Sequence, residues 1–310
     1  MALMGGYGAA FADNYPAKPI QLIVPYPPGG GTDVLARIVA QKMTEGWGRQ
    51  VIVDNRPGGD TQIGTNAIAR AAPDGYTFGL VTTTFAINKS LYPSLSYDSF
   101  RDFAPVTLIA ETPMFLVANP KIEASTLTEL VTLARQKPGQ LNYSTPSSIG
   151  YVAGEMLKAM AGIDVVRVPY KGSAPSVLAV MSGEVSYTID TLLATKAYVE
   201  AGRLRVIGVT SRQRSAELPS VPTISEAGLP GFDLTLWYGM LAPAGVPGEI
   251  VKKVAAEVGR VVALPDVKEK MQSLAATPRG SAPEDFASFL RAEIQKYEGV
   301  VAKQKLQVDG

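Results

Sequence analysis

The chain contains no cysteine and no histidine in 310 residues, and these two absences remove most familiar site chemistries at once. Without cysteine there is no disulfide, no thiolate metal site and no thiol for lipid attachment at a processed N-terminus. Without histidine there is no Ser-His-Asp triad, no Cys-His pair and no imidazole metal ligand. No Ser-x-x-Lys occurs either, so a serine–lysine nucleophile has no support. Acid–base work would fall to carboxylates, tyrosines and lysines, and a glycosidase-like carboxylate pair stays open. An excess of one charge is also missing: 29 Lys+Arg against 28 Asp+Glu leave +1. Nucleic acid is therefore not an expected partner, because no basic cluster with interleaved aromatics compensates. Nor is there an apolar run of the roughly 20 residues that a membrane-spanning helix needs. Neither a metal nor a cofactor is expected.

What is present is a well-stocked core, at 46% hydrophobic residues, in a chain long enough for one large or two medium domains. The most telling stretch runs from Ile20 to Asp33. Ile20-Gln21-Leu22-Ile23-Val24 reads as a strand buried on both faces, and prolines then stop it. Gly29-Gly30-Gly31 follow, and Thr32 or Asp33 can cap the helix beginning at Val34. Such a turn aims free backbone N–H groups and the positive end of a helix dipole at whatever lies above the sheet. It is not a P-loop, since Thr32-Asp33 stand where Lys-Ser/Thr would be needed, and it lacks the dinucleotide spacing. The loop reads as a cradle for a carboxylate or phosphate, with Asp33 set against a polyphosphate, or as a plain tight βα turn; as a cradle, Gly30 is where a branched side chain would block it.

Two further units carry matching chemistry. Asn142-Tyr143 leads into Ser144-Thr145-Pro146-Ser147-Ser148-Ile149-Gly150 and a helix from Tyr151, and Ile189 leads into Asp190-Thr191 and another helix. Strands and helices alternate along the chain; strands are expected at 50–53, 77–81, 106–110, 114–118, 165–168, 185–189, 204–210 and 234–241. Pro113 separates the fourth of these from the third. The closing helices each begin at a proline, Pro247, Pro265 and Pro283. Alternation of this kind predicts two parallel α/β sheets with a crevice between their strand ends. At the start of the chain, Ala10-Phe11-Ala12 has the small-x-small form of a signal-peptidase site. Residues 1–12 are accordingly read as a signal-peptide remnant.

Five blocks together identify a resemblance: Tyr26-Pro27-Pro28-Gly29-Gly30-Gly31-Thr32-Asp33, Val53-Asp54-Asn55-Arg56-Pro57-Gly58-Gly59, Ala72-Pro73-Asp74-Gly75-Tyr76-Thr77, Val168-Pro169-Tyr170-Lys171-Gly172 and Trp237-Tyr238-Gly239-Met240-Leu241-Ala242-Pro243-Ala244-Gly245. In this order they resemble the periplasmic solute receptors of tripartite tricarboxylate transporters, the Bug receptors. The resemblance implies a type II periplasmic-binding-protein fold, with two α/β domains joined by two crossovers around a ligand cleft. One domain would comprise residues 13–115 and 237–310, the other 116–236. It implies a monomeric, periplasmic receptor that hands a small organic carboxylate to the membrane components of a tripartite transporter. The ligand-binding residues expected on this basis are Tyr26, Pro28, Gly29, Gly30, Gly31 and Asp33 from the first loop, and Ser144, Thr145, Ser147 and Ser148 from the second. Asp190 would face the ligand's far end, and Arg56 would serve the fold.

Two positions depart from the family pattern. Many relatives carry histidine where this chain has Phe85 and Tyr151. Both read equally well as aromatic walls of the cleft or as core filling, and as walls they favour an aromatic dicarboxylate such as terephthalate. An aliphatic dicarboxylate receptor, a sensory module, or an enzyme using carboxylates or Tyr170 and Lys171 in the same cleft remain open alternatives.

Overall fold

The computed structural model describes residues 14–307. Ala10-Phe11-Ala12 and Asp13, on which the signal-peptide reading rests, lie outside the described residues. The first strand, β1 (Ile20–Val24), pairs in parallel with β2 (Val51–Asn55) on one side and β3 (Thr77–Thr82) on the other. Helices α1 (Gly31–Trp47), α2 (Gln62–Ala69) and α3 (Thr83–Leu91) follow these three strands in turn. The apolar run of β1 is buried because both of its edges are paired and helices cover it, as the reading of a two-faced strand requires.

Strand β4 (Phe103–Ala118) is the backbone of the molecule. Its first part, Phe103 to Pro113, pairs antiparallel with β9 (Thr235–Pro243), which pairs in turn with β3. Its last part, Met114 to Ala118, pairs with β7 (Tyr187–Thr191) and β8 (Arg205–Val209). The expected break at Pro113 is therefore absent. Proline sits where the strand changes partners, and bulges beyond Pro105 and Leu108 absorb the twist. The second lobe continues through β5 (Asn142–Thr145), parallel to both β7 and β6 (Val166–Pro169). Around it lie α4 (Leu127–Gln136), α5 (Ser148–Ala161), α6 (Ser173–Ser182) and α7 (Leu192–Glu200). The chain then returns through β9 to α8 (Gly248–Ala263), α9 (Pro265–Gln272), the short β10 (Thr277–Pro278) and α10 (Pro283–Gln304).

The connections between lobes are stitched at one residue. Thr210 N–H donates to the Met114 carbonyl at 2.9 Å, and the Thr210 carbonyl accepts the Leu234 N–H at 3.0 Å. Its hydroxyl accepts the Met114 N–H at 2.9 Å and donates to the Leu234 carbonyl at 2.6 Å. Met114 lies on the outgoing crossover and Leu234 on the return. The returning strand is fixed to the last helix by Trp237, whose Nε1–H donates to Glu293 at 2.9 Å while its ring meets Phe286 and Phe289 edge-on. No described helix is long and apolar enough to cross a membrane.

Candidate functional site

Strand C-termini and helix N-termini from both lobes converge on a cavity of about 690 Å³ and, beside it, a pocket of about 20 Å³. The two share Tyr26, Pro27, Pro146 and Ser147 as walls. Five helices present their first residues here, at Gly30, Thr61, Ser147, Gly172 and Thr191, and none has a side-chain cap. Helix starts without side-chain caps turn backbone N–H groups and the positive ends of their dipoles toward the cleft, an arrangement that favours an anion, although the Asp60 carboxylate takes the Ser148 N–H at one of them.

The first loop is braced from below. The Asp33 carboxylate accepts the Gly29 N–H at 3.0 Å, Arg37 Nε–H at 2.9 Å and Asn55 Nδ2–H at 3.0 Å. Asn55 also donates to the Tyr26 carbonyl at 3.0 Å. Burial works against the Asp33 charge, but the donors from Arg37, Gly29 and Asn55 outweigh it and hold the carboxyl below its ordinary value. Asp33 is thus spent on shaping the loop. Pro28 and Gly29 point outward, and neither they nor Asp33 line a cavity, contrary to the expectation from the motif. The glycines divide the work. Gly29 takes the left-handed conformation (φ +85°), whereas a Cβ on Gly31 would lie 2.7 Å from Thr191 Oγ1 and 3.1 Å from Leu193 Cβ. Gly30 has ordinary backbone angles, and its Cβ would meet Ser173 at a tolerable 3.5 Å.

Gly30, Gly31 and Tyr26 line the small pocket together with Asp190, Thr191, Ser173, Thr82 and Tyr238. Asp190 therefore lies on the facing lobe at the same end of the cleft as the first loop, and not at a far end from it. Its Oδ1 accepts the Thr191 N–H at 2.7 Å, while Oδ2 is buried and completes no hydrogen bond. Burial pushes this carboxyl up to about 6, with Ser173 and Thr191 pulling partly back.

Thr145, Ser147 and Ser148 of the second loop and Tyr151 of the helix that follows line the large cavity. Ser144 is not among them: its hydroxyl is buried and accepts from Ser176 at 2.7 Å. Phe85 is also placed elsewhere. At 1% exposure it stacks on Tyr97 and meets Phe103 edge-on in the core, because α3 turns that face inward. Three wall residues carry no site signal in the sequence motifs, and Lys171, expected in the cleft only on the enzyme alternative, lines it with them. Asp60 follows the Gly58-Gly59 turn and Arg167 interrupts an apolar strand, while Tyr92 and Lys171 complete the rim. Ser148 donates to Asp60 and lies 2.6 Å from Asn88 Oδ1, joining the lobes across the cleft. Burial raises the Asp60 carboxyl, and Ser148, Tyr92 and Arg167 act in the opposite direction. Arg56 pairs on the surface with Asp54 at 2.7 Å, consistent with service to the fold. Among the described residues no metal-binding cluster of carboxylates occurs.

Residues 35–306 match the family described as tripartite tricarboxylate transporter family receptor. The chain belongs to that family. A protein encoded between tcbD and tcbE in Pseudomonas sp. strain P51 is 38% identical over 96% of this chain and 89% of its own length. BugT of Bordetella pertussis is 35% identical over 94% of this chain and 90% of its own. Among solved structures, an adipate-bound R. palustris protein covers 95% of this chain and 100% of its own, with a TM-score of 0.92 at 34% identity. A malate-bound protein of Rhodopseudomonas palustris covers 93% and 100%, with a TM-score of 0.88 at 30% identity. This receptor accordingly has the two-domain fold of periplasmic binding proteins, and family and fold alike point to capture of a solute.

Proposed function

We propose that this receptor, exported with residues 1–12 as the remnant of a cleaved signal peptide, captures a dicarboxylate and delivers it to the membrane components of a tripartite transporter. It acts as a monomer, and it binds without catalysing a reaction. Its domains would be 13–115 with 237–310, and 116–236, closing on the ligand. The observation that carries the reading is the convergence of five uncapped helix starts on one cleft, which favours an anion without any metal or cofactor. One carboxylate would lie against Gly30 and Gly31, with Thr145, Ser147 and Ser148 lining the path to the other end.

The finer proposal is a ligand with a flat apolar body, such as terephthalate. Phe85 no longer supports it, but Tyr26, Tyr92, Tyr151 and Tyr170, with prolines between them, line the large cavity. Aromatic contacts add about 0.5–1.5 kcal/mol beyond buried area, up to roughly tenfold in selectivity. An aliphatic diacid is the second reading, favoured by the adipate in the structure of a relative 34% identical to this chain. Calorimetric titration with terephthalate, adipate and benzoate tests both levels, with Tyr26→Leu as the wall variant. Terephthalate should bind most tightly, and Tyr26→Leu should narrow its lead over adipate. Equal affinity for terephthalate and adipate removes the aromatic claim. A protein that ignores all three acids and answers a sugar or a cation removes the receptor reading altogether.

A further inference from the structure

We propose that Arg167 determines specificity in the cavity by receiving the second carboxylate of the ligand. Arg167 lines the large cavity and not the adjoining small pocket of Gly30 and Gly31, so it lies outside the place given to the first carboxylate. Its guanidinium lies 4.0 Å from the centroid of the Tyr151 ring, which supports one face of the plane without engaging its N–H groups. Nε is buried and has no hydrogen-bond partner. A buried charged donor without an acceptor is costly, and a planar fork of this kind matches a carboxylate in two parallel bonds.

Asp60, a carboxylate on the same cavity wall, does not answer this charge. Asp60 feels the positive field of Arg167, yet its bonding is with the hydroxyl and backbone N–H of Ser148 and, at 3.4 Å, the hydroxyl of Tyr92. Asp60 and the β-branched Thr61 both hold positive φ, 46° and 75°, conformations that glycine adopts far more readily. Side chains kept at such positions on a cavity wall point to a role in the site. Asp60 also fixes the chemical class. One arginine opposed by a neighbouring carboxylate suits a single negative charge and disfavours a phosphate dianion. Tyr151 supports Arg167 and is itself tied down, donating from its hydroxyl to the Gln307 carbonyl at 3.0 Å.

The assignment rests on the carboxylate-receptor reading, and the experiment separates the two. Terephthalate, adipate and benzoate are titrated into wild type, Arg167→Leu and Arg167→Lys, with melting curves to confirm that each is folded. Arg167→Leu should weaken both diacids by about 10- to 100-fold, the range for a charged hydrogen-bonded contact, and leave benzoate within about threefold. Arg167→Lys should recover only part of the loss, since it keeps charge and forfeits the fork. Equal losses for benzoate and the diacids, or full diacid affinity in Arg167→Leu, overturn the role of Arg167 while leaving the receptor reading intact. Wild type that binds none of the three acids overturns both.

Discussion

Replacing Asp190 by asparagine should stabilise the unliganded protein, by an amount that depends on pH in a defined way. The substitution keeps the shape and an acceptor for the Thr191 N–H, and removes a charge whose Oδ2 completes no hydrogen bond. The folded carboxyl sits at about 6, above its ordinary 3.8, so the folded state holds its proton more tightly than the unfolded chain does. Stability from this group is therefore complete below about pH 3.8 and is lost as pH rises to about 6. At 1.36 kcal/mol per pH unit the loss is about 3 kcal/mol at pH 7.5 and about 1 kcal/mol at pH 4.5. For a chain of this length, with an unfolding entropy near 2.1 cal/mol/K per residue, that is about 5 °C in melting temperature at pH 7.5 and about 2 °C at pH 4.5. Differential scanning calorimetry of wild type and Asp190→Asn at both values is the assay. A gap of the same size at the two pH values, or a variant less stable at pH 7.5, would refute the reasoning. A ligand carboxylate at Gly30 and Gly31 would meet the same charge, so wild-type affinity should rise between pH 7.5 and 5.5 while the variant stays flat.

Gly31→Ala should fold and lose most diacid affinity by calorimetry, because its Cβ would press on Thr191 and Leu193 of the other lobe. Gly30→Ala should keep more of it, since the nearest atom would be 3.5 Å away; the reverse order would move the close approach to Gly30. Phe85→Ala should cost about 3–5 kcal/mol in denaturant unfolding, as for a core aromatic, and leave the ratio of terephthalate to adipate affinities unchanged. Ser148→Ala removes the hydroxyl between Asp60 and Asn88 and should enlarge the radius of gyration of the unliganded protein in small-angle scattering. Identical scattering curves would show that this contact does not hold the lobes together.

The parts of the molecule legible in the sequence are those set by local chemistry. A continuous apolar run, prolines and three glycines specify β1, its turn and α1 almost independently of the rest, and the Ser/Thr-rich loop before α5 is legible for the same reason. Elements decided by distant partners were not. Pro113 looks like a strand end, and becomes an internal residue only because β9 lies alongside Thr112 and Pro113 while β7 takes over at Met114. Phe85 reads equally well as wall or core until the orientation of α3 turns it toward Tyr97 and Phe103. Asp33 has the composition of a ligand residue and the partners of a brace. Arg167 did leave a sign, a lone charge within Val165-Val166-Arg167-Val168, but the face it occupies follows from pairing with β5.

The stitching at Thr210 sets the kind of motion that ligand capture can use. Two crossovers held separately would let one lobe swivel, shear or tilt against the other. Here both are tied to the amide, carbonyl and hydroxyl of one threonine, and β4 runs unbroken through the junction. Tying both to one threonine opposes swivel and shear, so capture is expected to open and close the lobes about one axis. The contact of Asp60 with Ser148 at the rim would then be set by the bend at that joint. A transporter reading the rim would be reading the angle at Thr210.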